Sequence, residues 1–159
     1  MSTQPERRLK IAQIKALPKD LAAAVKGLTT EQLLTPYREG GWTIAQVVHH
    51  LADSHAHAYL RMKLIATEDR PPLRSYDQDV WAALTDASSA AVAPSLTMLK
   101  GLHRRWAEFL RRIPRKDWAR VGEHSERGEV SLDRMLEIYS GHGAKHLQQI
   151  VDLKTRRGW

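Results

Sequence analysis

The chain has 159 residues, the size of one domain (1–159) able to bury roughly 70% of the surface its unfolded form exposes. It has no cysteine, which excludes disulfide scaffolds, thiolate zinc sites, iron–sulfur clusters and a cysteine nucleophile. A net charge of +7 is spread along the chain and draws anionic partners only weakly. Residues 1–10 lack the apolar segment of a secretory signal, and no run of about 18 apolar residues is present, so the expectation is a soluble cytoplasmic protein without a membrane partner.

The apolar periodicity is helical almost throughout, and no alternating β-branched run is long enough to predict a strand. A first helical stretch runs from Arg7 to Lys26 with Gly27 as its stop. Pro18 lies inside it and predicts either a kink or a second helix that it opens. Residues 29–36 predict one short turn of helix, and 38–42 (REGGW) a break. The second long helix opens at a capping box, Thr43 and Gln46, and ends near Thr67. Its stripe is Ile44, Val47, Val48, Leu51, Ala58, Met62 and Ile65. Residues 67–93 form the longest connection, with a short helix expected over 77–84. A third helix runs from Pro94 to Ile113, with Leu99, Leu102, Trp106 and Leu110 on its apolar face. The fourth starts at the N-cap Ser131 and runs to Arg156, with Lys and Arg near its end. Four long amphipathic segments predict an all-α four-helix bundle.

The eight histidines are unevenly placed. His142 and His146 lie at i and i+4 on the core face of the fourth helix, a spacing with which one helix grips a metal. Two buried imidazoles in succession need partners for their nitrogens. The pattern lacks the glutamate of a zincin, since Gly143 follows His142. Gly141, Gly143 and Ala144 leave room for something to approach. A third ligand is available from the second helix, which carries His49, His50, His55 and His57. Periodicity places His55 nearest the centre of the apolar stripe, His50 on its edge and His49 outward. On these grounds the choice between His50 and His55 stays open.

The segments GGWTIAQVVHHLADSH (40–55), LIATEDRPPLRSYDQDVW (64–81), LHRRW (102–106), EHSERG (123–128) and YSGHGAKHLQQI (139–150) resemble the DinB superfamily, and within it the YfiT-like group of metal-dependent hydrolases. The resemblance covers residues 17–153. It implies a four-helix bundle, a homodimer, and a zinc or nickel ion held by one histidine of the second long helix and two of the last. By motif position these are His50, His142 and His146. The group commonly shows WHxxHHxxH in the last helix. Here Gly141, Lys145 and Gln149 stand where Trp, His and His are expected.

Three imidazoles leave coordination open for water or substrate, the arrangement of a catalytic site. The implied activity is hydrolysis of a small-molecule substrate. The alternatives are S-transfer with a low-molecular-weight thiol of the bacillithiol type, and a non-catalytic bundle that only binds a metal or small ligand. Asp53 is a candidate to orient a ligand, His55 to line the pocket, and His124 with Glu126 to reach the mouth of the site. His103 reads as structural or surface. Metal affinity is expected to fall with acid near pH 6, where an unperturbed imidazole protonates. The basic residues Arg104, Arg105, Arg111 and Arg112 suggest nucleic acid at first sight. A solvated face opposite Trp106, Phe109 and Leu110 accounts for them more simply.

Overall fold

The structure, a computed structural model, describes residues 1–159. Helix α1 spans Gln4–Val25 and begins three residues earlier than the apolar pattern predicts. The cause is a capping box: the Thr3 hydroxyl accepts from the Glu6 amide, and the Glu6 carboxylate accepts from the Thr3 amide at 2.6 Å. Pro18 sits inside α1, which runs through it as one helix, so no second helix opens there. Helix α2 is one turn, Thr30–Leu33. Helix α3, Ile44–Thr67, starts at the predicted box, with Gln46 N to Thr43 Oγ1 at 3.1 Å and Thr43 N to Gln46 Oε1 at 2.9 Å. The 67–93 connection carries α4, Gln78–Ala82, capped by Asp77. Helix α5 spans Ala93–Arg111, and α6 spans Leu132–Arg157 from its Ser131 cap to Gly158 at φ 69°.

The expectation of no strands is corrected. β1 (Pro72–Leu73) pairs parallel with β2 (Val121–His124), and β2 pairs antiparallel with β3 (Gly128–Ser131). Strands of two and four residues are too short to print a period of two on the sequence. They form because the apolar residues of two connections, Leu73 and Val130, close one end of the core beside Trp106 and Trp118.

Helix α1 packs on α5 and α6, and α3 also packs on α5 and α6, so α1 and α3 stand diagonally across the bundle. The core is divided. One apolar cluster holds Ile14, Ala58, Met62, Trp106 and Leu136; the other holds Leu17, Leu51, Ala52, Leu99 and Ile150. The division falls at one level of every long helix: between Ile14 and Leu17 on α1, Ala52 and Ala58 on α3, Leu99 and Trp106 on α5, and Leu136 and Ile150 on α6. The side chains that fill this level include His55, His103, His142 and His146. No helix is long and apolar enough to cross a membrane.

Candidate metal centre

His50 on the second turn of α3 meets His142 and His146, one turn apart on α6. One ring nitrogen from each lies within 4.8 Å of the others. His50 Nε2 and His142 Nε2 are 3.2 Å apart. A tetrahedral zinc ion with bonds of 2.0–2.1 Å separates two nitrogen ligands by about 3.3 Å, so this pair already stands at ligand spacing. The indole of Trp42 covers one side, with its ring 4.5 Å from that of His50 and stacked at 6.2 Å on that of His146. Three imidazoles and no thiolate suit a borderline cation such as zinc or nickel better than magnesium or calcium.

A metal ligand must be neutral. Burial pushes His50 down to about 3, with His146 as a second cause, and His142 down to about 2, with His146 and His50 adding to it. Burial lowers His146 as well. His50 and His142 are therefore deprotonated well below the pH 6 expected from an unperturbed imidazole, and at these two rings proton competition sets in at lower pH than the sequence suggests.

The outer nitrogens of two rings are held. His146 Nδ1 donates to Gln149 Oε1 at 2.8 Å. That bond leaves His146 Nε2 for the centre. His142 Nδ1 lies 3.1 Å from His55 Nε2, His55 Nδ1 lies 3.0 Å from His103 Nε2, and His103 Nδ1 lies 2.5 Å from the Ile14 carbonyl.

His50 is in the cluster, and His55 is not. His55 has no solvent exposure and both its nitrogens are engaged, so it does not line a pocket. Periodicity put His55 at the centre of the stripe correctly, and the centre of the bundle is too deep for the cluster. Asp53 makes no hydrogen bond to any of the three histidines. Its titratable neighbours are Asp86 and His49, on the side of the 67–93 connection, and burial raises its pKa. His124 is buried on β2, where its Nδ1 accepts from the Glu126 amide at 3.2 Å; it is outside the cluster. His49 does not point outward: it is buried, with Nδ1 2.8 Å from Ser95 Oγ and Nε2 2.9 Å from the Ser89 carbonyl. The connection before α5 folds over the surface that helical periodicity alone leaves open.

His103 and Gln149 are the two residues whose place at the centre sequence reasoning missed. For His103 a signal was present. Pro18 has no N–H, so the Ile14 carbonyl four residues earlier lacks its helical donor, and another group has to supply one. The room beside Gly143 admits no ligand: a methyl group there would collide with Leu17 Cδ2, so α1 itself fills it. A cleft of about 1280 Å³ lies between the start of α1 and the end of α5, away from the histidines, and it is lined by Arg8, Arg111 and Lys116 among others.

The DinB superfamily model matches residues 13–150. A Geobacillus kaustophilus protein, named provisionally as a metal-dependent hydrolase, is 47% identical over 150 residues, which is 94% of this chain and 84% of that one. An Oceanobacillus iheyensis protein named in the same way is 43% identical over 149 residues, covering 94% and 86%. Among solved structures, YfiT from Bacillus subtilis is described as a probable metal-dependent hydrolase with an unusual four-helix bundle topology. It superposes with a TM-score of 0.97 at 38% identity, over 100% of this chain and 91% of its own. A second four-helix bundle protein, TT2238, has a TM-score of 0.60 at 19% identity and shares the fold. The chain belongs to the DinB superfamily.

Proposed function

We propose that the chain is a metal-dependent hydrolase of a small-molecule substrate, in which His50, His142 and His146 hold one zinc or nickel ion and leave a position for water or substrate. The observation that carries this reading is the convergence of three neutral imidazoles, their nitrogens within 4.8 Å of one another. Packing alone gives no reason for it, because buried polar rings destabilise a core unless something satisfies them. The names of the relatives support it. When bound, such an ion supplies Lewis acidity, which polarises a substrate oxygen and makes water or a thiol nucleophilic near neutral pH. The chain does the rest. Gln149 turns His146 so that Nε2 faces the centre, and His55 engages the outer nitrogen of His142. Trp42 restricts water on one side of the rings.

One observation favours a second reading, transfer to a low-molecular-weight thiol. The residue after His142 is Gly143, so α6 lacks the glutamate that serves a zincin as general base. A thiol is acidic enough to need less help. The resemblance also implies a homodimer. Leu60 and Leu64, exposed one turn apart on α3, are residues such a pairing would cover, and sedimentation of the intact chain tests it.

Elemental analysis of untagged protein should find zinc or nickel at one equivalent per chain. A screen of ester, amide and thiol-conjugation substrates should find turnover that is lost on chelation and restored by the ion. Turnover indifferent to chelation, or a loaded protein inert throughout, overturns the enzymatic reading.

A further inference from the structure

His142 is linked to the Ile14 carbonyl through two more histidines, His55 and His103. Ile14 O, His103, His55 and His142 follow one another at 2.5, 3.0 and 3.1 Å. His55 and His103 are completely buried, and their rings stack at 5.0 Å and 14°. Their partners are imidazoles and a carbonyl, with no carboxylate to stabilise a charge, so both buried rings are neutral. A neutral imidazole carries one N–H and one lone pair.

Such a row can be protonated in only two ways. In one, every Nδ1 carries the hydrogen, and each ring donates to the next until His103 donates to Ile14. In the other, every Nε2 carries it, and the His103 Nδ1 lone pair faces the carbonyl lone pairs at 2.5 Å. The carbonyl only accepts, so it selects the first. It is free to do so because Pro18 occupies the position from which an amide would have bonded it. The selected direction ends with Nδ1–H on His142 and a bare Nε2 opposite His50. The rejected direction would put a hydrogen on that same Nε2, where it would block a ligand.

We infer that His103 and His55 are positioning residues, which pass the polarity of the Ile14 carbonyl to His142 and so keep its Nε2 unprotonated at the centre. The inference rests on the reading of His142 as a ligand. Neither residue touches substrate or metal. The polarity of the centre is set by a proline in α1, a helix that carries none of the three clustered histidines.

The test reads ring tautomers in the metal-free protein by two-bond ¹H–¹⁵N correlation after labelling histidine with ¹⁵N. In the wild type, His103, His55 and His142 should all be Nδ1–H. In His103→Leu, His55 loses its acceptor, and His142 should populate the Nε2–H form. Zinc affinity, measured by competition with a chelator, should drop about 10–100-fold. His103→Gln, whose amide can accept from His55 and donate to Ile14, should restore both readings. An Nε2–H tautomer at His142 in the wild type overturns the inference with no variant needed, even if His103→Leu fails to fold. So does a His103→Leu protein in which His142 stays Nδ1–H and zinc affinity is unchanged. If the wild type shows the predicted tautomers yet binds no zinc, the polarity row stands and the ligand reading of His142 falls.

Discussion

The two apolar clusters and the histidine level between them are built from the same four helices, yet different rules hold them. In the clusters, Trp106, Leu136 and Ile150 bury surface without any directional requirement, and each contributes in proportion to area. At the histidine level each ring has to find a partner of the right polarity, and the chain supplies them one by one: Gln149 for His146, His55 for His142, His103 for His55, Ile14 for His103. His50 differs from the rest. Its only partner is His142 Nε2, and its Nδ1 has none. The lesson is that the clusters make the bundle while the middle level gives up stability for a site.

That contrast can be broken at either part. Truncating Trp106, which has no exposure, to alanine should lower unfolding free energy by about 3–5 kcal/mol without removing any ligand. Chemical denaturation of the metal-free protein measures this. Acid should act on the other part. Below pH 6.5 the unfolded chain protonates its histidines, whereas folded His103, His50 and His142 stay neutral to about 4, 3 and 2. The stability these neutral rings allow in the metal-free protein is therefore complete above pH 6.5 and is lost as pH falls from there, down to about 4 for His103, 3 for His50 and 2 for His142. Each of these rings can account for about 1.4 kcal/mol per pH unit. A melting temperature constant from pH 7 to 4.5 would show that these rings are not buried neutral.

Removing one outer partner is a finer cut. Gln149→Ala should weaken zinc binding about 10-fold, the low end for a lost outer hydrogen bond, with the fold intact by circular dichroism. The smallest effects separate two glycines on α6. Gly141→Ala meets open space and should stabilise the helix by up to about 1 kcal/mol. Gly143→Ala collides with Leu17, an overpacking of about 1–3 kcal/mol that outweighs the gain in helix propensity, so its melting temperature should fall.

Much of this was legible in the sequence because it is local. Thr43 and Gln46 start α3, Ser131 starts α6, and the i, i+4 histidines share a face whatever the fold. The membership of His50 in the cluster is not local: helical periodicity leaves His50 and His55 both open, and only the family resemblance names His50. The strands and the burial of His49 were invisible because both depend on where a connection folds back, and Ser89 and Ser95 are 40 and 46 residues from His49. The Ile14–Pro18 pair is a middle case. A proline within a helix announces a free carbonyl four residues earlier, but only the packed bundle says that His103 takes it.

The central claim is that His50, and not His55, shares one ion with His142 and His146. Zinc titration of the metal-free wild type, His50→Ala and His55→Ala tests it in one series. The wild type should bind one ion per chain. His50→Ala should lose affinity by well over the roughly 10–100-fold that removal of an outer partner causes, and His55→Ala should stay within that range. Wild-type affinity in His50→Ala together with its loss in His55→Ala would contradict the account.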